Sequence, residues 1–292
     1  MSTPGHAEGK ARRARPEGSP VDADPDARAV QGSASSAAGR LFLVPTPLDF
    51  GIVAGQAPAD LHDCLPLGVI RRAAALAHWV AENARTARAF LKRVDTVVPL
   101  AMPLQQIRIV ELPRPPKGRA AGAAPAADGA SLLSPALQGL DMGLVSEAGL
   151  PGVADPGAEL VRRAHELGVP VVALAGASAM PLALAASGLN GQSFAFVGYL
   201  PQDAVARAGR LRELEALSRR TGQSQLVIET PYRNQTLLDA MIATLQPATW
   251  LSVSCALGTA EGRTRSAPIS AWRQQRLALP ADQPAVFAFQ AA

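Results

Sequence analysis

The sequence predicts an α/β protein made of two α/β/α domains in series. Three observations predict it. Between Asp141 and Leu189, apolar runs of strand length alternate with helical periodicity and small-residue turns. This is a β-loop-α-β-loop-α unit, for which parallel strands and right-handed crossovers are expected. A second alternation of the same kind runs from Phe194 to Phe289, and Gly188-Leu189-Asn190-Gly191-Gln192 lies between the two as a hinge. In open α/β sheets ligands bind beyond the carboxyl ends of the strands, so the turns after each strand are where a site is expected.

Length and composition set the frame. At 292 residues the chain suits one large or two medium domains, and 48% hydrophobic content is enough for a real core. A formal net charge of +4 and a pI near 9.6 are compatible with an anionic partner without specifying one. Cys64 and Cys255 are far apart, so neither a disulfide framework nor a zinc site is indicated. His6, His62, His78 and His165 have no ligand spacing, and no metal is expected. No apolar run reaches membrane-spanning length, and the polar N-terminus has no apolar signal region, so a cytoplasmic location is expected.

Residues 1–39 are rich in Pro, Gly, Ser, Ala and charge, and are expected to form a disordered tail. Its basic cluster, Lys10, Arg12, Arg13 and Arg15, reads as a solvated segment more readily than as a nucleic-acid contact. An N-terminal domain is expected over 40–189 and a C-terminal domain over 190–292. Arg40–Val44 is a buried strand, ended by Pro45-Thr46-Pro47 because proline cannot continue a central strand. Leu65–Phe90 reads either as one long helix or as helix (67–75), strand (76–80) and helix (85–94). The second is favoured, because Trp79-Val80-Ala81 runs into the polar cluster Glu82-Asn83-Ala84-Arg85. Residues 101–131, with Arg114, Lys117 and Arg119 among prolines and glycines, read as a mobile basic loop insertion.

Met142–Val145 is the next strand. Asp155 is the expected N-cap of a helix with Pro156 at its first position, carried by Leu160, Val161, Ala164 and Leu167 and closed by Gly168. Val169–Leu174 reads as a buried strand, Gly176-Ala177-Ser178-Ala179 as a tight turn, and the following helix reaches about Ser187. Strands are then expected at 194–198, 225–228, 250–255, near 265–269 and at 285–289. Helices are expected at 204–220 and 236–245. Glu229 and Arg233 cluster at a strand end, where they are ligand-edge candidates or a structural ion pair. Neither the G-x-G-x-x-G dinucleotide fingerprint nor a P-loop occurs, which argues against those nucleotide sites.

Five motifs in order carry a family resemblance. They are Leu43-Val44-Pro45-Thr46-Pro47; Ala81-Glu82-Asn83-Ala84-Arg85; Val145-Ser146-Glu147-Ala148-Gly149-Leu150-Pro151 running into Asp155-Pro156-Gly157; Ala175-Gly176-Ala177-Ser178-Ala179; and Phe196-Val197-Gly198-Tyr199-Leu200-Pro201 with Glu229-Thr230-Pro231-Tyr232-Arg233. From about Arg40 onward the chain resembles the tetrapyrrole methylase superfamily of S-adenosylmethionine-dependent methyltransferases, in particular its ribosomal RNA ribose 2′-O-methyltransferase branch. The resemblance implies two α/β domains, a cofactor cleft between them and a homodimer. It puts Thr46, Pro47, Ser146, Glu147, Ala148, Gly149, Pro151, Gly176, Ala177, Ser178, Ala179, Val197, Tyr199 and Leu200 against S-adenosylmethionine. Glu82, Arg85, Glu229 and Arg233 are the catalytic candidates: Glu82 and Glu229 are the carboxylates at the cleft edge that a base for the acceptor hydroxyl would come from, Arg85 and Arg233 would orient a phosphate or keep those carboxylates ionised, and Glu82 and Arg85 are favoured. The chain departs from the family pattern at Asn83 and Glu147, each commonly Asp, at Leu150, commonly Thr, at Ala175, commonly Pro, and at Asp49-Phe50-Gly51. No helical extension like that of ribosomal members is expected after its last strand. A tetrapyrrole or other small-molecule acceptor, or cofactor binding without catalysis, are the competing readings.

Overall fold

The computed structural model describes residues 38–49, 60–113, 129–275 and 277–292. The expected tail and the basic segment Arg114–Arg119 therefore lie outside the described residues, apart from residues 38 and 39 of the tail. The first sheet holds β1 (Leu41–Leu43), β2 (His78–Ala81), β3 (Arg108–Glu111), β4 (Met142–Val145) and β5 (Val171–Ala173). Its order is β3-β2-β4-β1-β5, and every pairing is parallel. All carboxyl ends therefore share one edge. β1 and β2 flank β4 in the same register, with Leu41 and His78 both opposite Met142.

Central position explains the sequence of β4. All four of its residues are buried. Gly143 is where the Trp79 indole of β2 fits: a Cβ there would lie 2.5 Å from the ring. Helices α1 (Leu61–Cys64), α2 (Leu67–Ala75) and α3 (Ala84–Val97) pack one face through Ile70, Ala73, Phe90, Leu91 and Val94. Helices α4 (Gly129–Leu132), α5 (Ser134–Leu137) and α6 (Ala158–Glu166) cover the other through Leu133, Ala136, Leu160 and Ala164. The helix–strand–helix reading of 65–94 holds, and α3 starts where Asn83 Oδ1 accepts the Arg85 amide 2.9 Å away.

The second sheet holds β6 (Phe194–Tyr199), β7 (Ser224–Glu229), β8 (Trp250–Cys255), β9 (Arg263–Pro268) and β10 (Ala285–Gln290), in the order β6-β7-β10-β8-β9. Only β6 and β7 are parallel, so Tyr199 and Glu229 end on the same side. The other pairings are antiparallel. Helices α8 (Ala204–Thr221), α9 (Asn234–Thr244) and α10 (Ile269–Gln274) back one face. Helix α7 (Ala179–Ser187) covers the other: Met180, Ala183 and Leu184 pack on Leu226, Val286 and Ala288. Each sheet is thus sandwiched between helices, as the sequence predicts.

Several expectations are corrected. The insertion read over 101–131 contains strand β3, whose short Arg-Ile-Val-Glu run gave no period long enough to count. β5 is not buried: it is the sheet's edge, with all three residues partly or fully exposed. Asp155 does not cap a helix. α6 begins at Ala158, capped by Gly157 at φ 130°. α10 was not foreseen. No described helix is long and apolar enough to cross a membrane.

Candidate functional site

The carboxyl edge of the first sheet gathers four turns. After β1 the chain runs through Pro45-Thr46-Pro47, and Thr46 is buried. Its amide donates to the Gly149 carbonyl at 2.9 Å, and the Gly149 amide returns the bond to the Thr46 carbonyl at 3.0 Å. This two-way bridge ties the turn after β1 to the turn after β4. Gly149 sits at φ 78°, a conformation that an L side chain adopts only at a cost. A Cβ on it would stand 3.3 Å from Leu48 and 3.7 Å from the Ala177 carbonyl, so the turn after β5 closes on the same point. Gly176 in that turn has no room for a side chain, since its Cβ would lie 2.3 Å from the Pro45 ring. Thr46, Gly149, Gly176 and Ala177 therefore converge.

The fourth turn follows β2. The Glu147 amide donates to Glu82 Oε2 at 3.1 Å, and the Asn83 side-chain amide donates to Glu147 Oε1 at 2.9 Å. Asn83 thus caps α3 with its oxygen and steers Glu147 with its nitrogen. Asp49, at the end of the Thr46 turn, pairs with Arg93 of α3 at 2.9 Å and pins that turn to the helix. Thr46, Pro47, Ser146 and Glu147 line a crevice with Asp49, Thr86, Phe90 and Arg93. Its volume is only about 10 Å³, the space of a single water. A larger cavity, about 290 Å³, lies at the opposite, amino-terminal ends of β2, β3 and β4, lined by His78, Arg108 and Met142 among others. It is remote from every converging turn.

Asp155 is a residue to which sequence reasoning gave only a capping role. The loop from Gly149 to Gly157 turns through four positive φ values, at Gly149, Gly152, Ala154 and Gly157. It returns Asp155 to the edge it left. Burial there, then the charge of Glu82, push its carboxyl up to about 6; the Ser146 hydroxyl pulls it partly back, and Glu147 pushes it up further. Tyr199, at the end of β6, faces the same groups. Its hydroxyl is raised by burial first, then by Glu229 and Asp155, with Arg233 opposing and Glu82 adding. Carboxylates of the first sheet and the β6–β7 end of the second therefore feel one another. The signal was in the sequence, since Asp155-Pro156-Gly157 closes the third motif, but cap chemistry explained it away.

The other candidates are placed as follows. Glu229 accepts from the Thr230 amide at 2.7 Å and from Arg233 at 2.7 Å, so this pair braces the turn after β7. The Glu229 side chain is only 6% exposed, which leaves it little access to a substrate. Arg85 is exposed on the first turn of α3. Ser178 caps α7 by position, and Ala179 packs with the α7 cluster on the second sheet. Pro151 is buried. Leu200 and Val197 turn their side chains into the core beneath α8 and α9, which leaves only their backbone for a ligand. Among the described residues no three His, Cys, Asp or Glu side chains group to hold a metal ion.

The arrangement fits a cationic ligand with a small-residue approach. The groups that set the Asp155 carboxyl are two carboxylates, burial and one hydroxyl, with no cation among them. A sulfonium beside them would supply the missing positive charge. Small residues at Ala148, Gly149 and Ala177 leave backbone groups within reach of it.

No protein-family model matches the chain. Among curated proteins, it is 31% identical over 198 residues to "Ribosomal RNA small subunit methyltransferase I" of Pseudomonas aeruginosa, covering 67% of this chain and 58% of that protein. Proteins of the same name from Halalkalibacterium halodurans and Vibrio cholerae are 38% identical over 117 residues and 42% over 102, covering 40% and 35% of this chain. The matched stretches span 39% and 34% of those two relatives. Among solved structures, uroporphyrin-III C-methyltransferase from Thermus thermophilus aligns over 86% of this chain and 92% of that one, with a TM-score of 0.46 and 17% identity.

Proposed function

We propose that this chain transfers the methyl group of S-adenosylmethionine to ribosomal RNA, at a ribose 2′-hydroxyl. The observation that carries the reading is the convergence of the turns after β1, β2, β4 and β5, locked by the Thr46–Gly149 bridge. Similarity to relatives named as methyltransferases of small-subunit ribosomal RNA supports the acceptor class. When bound, S-adenosylmethionine supplies an already activated methyl group, so the protein contributes alignment and charge.

The Thr46–Pro47 turn, the Ser146–Gly149 and Pro151 turn and the Gly176–Ala179 turn hold the donor, and the Val197–Leu200 strand end closes over it. Glu82 and Glu147 present negative charge toward the sulfonium side. Arg85, exposed at the start of α3, and Arg233 at the β7 end attract the RNA backbone. Glu229 holds Arg233 in place. The resemblance adds a homodimer, which light scattering on the purified protein tests.

The test is tritium transfer from labelled S-adenosylmethionine to ribosomal RNA of a strain that lacks its own counterpart. Label in the RNA, lost in Glu82→Gln by about tenfold or more, is expected. Donor binding by calorimetry with no label in RNA would overturn the acceptor. Absence of donor binding would overturn the whole reading.

A further inference from the structure

The first sheet has a second feature at its other end. A cavity of about 290 Å³ opens at the amino-terminal ends of β2, β3 and β4. Strand register builds its floor. His78 of β2 lies opposite Arg108 of β3 on one side and opposite Met142 of β4 on the other, and Val80 lies opposite Val110. Side chains alternate along a strand, and Trp79 and Ile109 pack with the core beneath α2 and α3. His78, Val80, Arg108 and Val110 therefore share the opposite face. The short helices α4 and α5 form the wall, through Ser131, Leu132, Ser134 and Pro135.

Two capacities in this cavity are unspent. Nδ1 of His78 is closed off from water and has no hydrogen-bond partner. A buried nitrogen of that kind calls for a partner that the side chains around it do not supply. Arg108 is exposed, and no Asp or Glu is among the described residues that line the cavity. Adjacent strands lie about 4.8 Å apart, so the guanidinium and the imidazole reach one small group together. Beside them Val80, Val110 and Leu132 are apolar. The space is well beyond that of a single water and lies at the low end of the range for small-molecule sites.

We propose that this cavity is a second binding site, separate from the donor edge, for a small organic anion: a carboxylate or phosphate monoester head on a compact apolar body. Arg108 pairs with the head at the rim, and the Nδ1–H of His78 donates to it from within. Val80, Val110, Leu132 and Met142 enclose the body. A cationic ligand would meet Arg108 with no counter-charge in the lining. A wholly apolar one would leave the His78 nitrogen buried and unpaired. The site stands on the cavity and its register alone and does not depend on the methyl-donor reading.

Nuclear magnetic resonance on the full chain with labelled histidine tests this. The chain has four histidines, and His78→Gln identifies the His78 imidazole signal by its loss. The probes are phenylacetate and phenyl phosphate, with phenylacetamide as the uncharged counterpart of the first. At least one anion is expected to move the His78 signal saturably, with a dissociation constant on the order of 1 mM, and the tighter of the two names the head. Phenylacetamide should bind about tenfold more weakly than phenylacetate or not at all. Arg108→Gln, at an exposed position, should weaken the anion by about tenfold without lowering the melting temperature, and Arg108→Lys should retain most of the affinity. Saturating S-adenosylmethionine should leave the anion's affinity within about twofold. Failure of both anions to move His78, equal binding of the amide, or indifference to Arg108→Gln would overturn the proposal and leave the methyl-donor reading untouched. Displacement of the anion by S-adenosylmethionine would overturn it too, since the two sites would then be one. Failure of methyl transfer to RNA would bear on the donor reading and leave this site standing.

Discussion

Asn83 and Glu147 show at the residue scale what a motif reading leaves out. Each departs singly from the resembling family, where Asp is common at both places. The structure shows that the two departures touch: the Asn83 amide donates to Glu147 at 2.9 Å. Two ionised aspartates could not make that bond, so the changes are one adjustment. Asn83→Asp should therefore destabilise the fold by about 1 kcal/mol near neutral pH. Adding Glu147→Gln, which supplies a donor from the other side, should recover most of the loss, as a double-mutant cycle on urea unfolding would measure. Asp155 gives the opposite case. Its carboxyl is raised from 3.8 to about 6 in the folded chain, so the folded state binds the proton more tightly than the unfolded state. The stability this proton contributes is full below about pH 4 and is lost as pH rises through 6. Asp155→Asn should then stabilise the unliganded protein by about 1–2 kcal/mol at pH 7.5, after allowance for screening at its open side, and by almost nothing at pH 4. Melting temperatures of both forms across that range check the sign.

At the scale of elements, strands that end in proline or in a polar cluster were legible. Leu41–Leu43, His78–Ala81, Met142–Val145 and Trp250–Cys255 lie within a residue or two of where the apolar runs placed them. β3 was not legible, because four residues ending in Glu111 and flanked by prolines carry no period. The start of α6 was misplaced for another reason. Asp155-Pro156 has good cap chemistry, but the chain is still turning there, and Gly157 at φ 130° makes the entry instead. The loop between them stores its strain at Ala154, a residue with a Cβ at φ 67°. Ala154→Gly should raise stability by about 0.5–1 kcal/mol. Gly149→Ala should lower it by about 1–2 kcal/mol, because φ 78° and Leu48 at 3.3 Å both oppose a methyl group. If the loop shapes the donor site, Gly149→Ala also weakens S-adenosylmethionine binding while Ala154→Gly leaves it within about twofold, which calorimetry separates.

Across the whole molecule, the doubled α/β pattern was readable where an apolar run is followed by a helix of the right length, as β2 is by α3 and β6 by α8. The joining of the two sheets was not, since it depends on contacts between distant residues. Leu48, in the turn after β1, would lie 3.3 Å from a Cβ on Gly258, in the loop after β8. Ser266 of β9 donates to the Ser187 carbonyl at the end of α7. The first contact ties the carboxyl edge of the first sheet to the second sheet, and the other fastens α7 to β9. Leu48→Ala should cost about 2–3 kcal/mol and reduce donor affinity together with stability, as chemical denaturation with and without S-adenosylmethionine would report.

Helix α7 leaves the first sheet in sequence and roofs the second in space. Anyone severing the polypeptide into two separately expressed pieces meets the consequence. A fragment that starts at Asn190 carries Leu226, Val286 and Ala288 without the helix that shelters them, and should clump. A fragment that starts at Gly176 brings its own cover and should stay dispersed. Mixing the sticky fragment with the complementary front piece should rescue it, because the missing roof then arrives in trans.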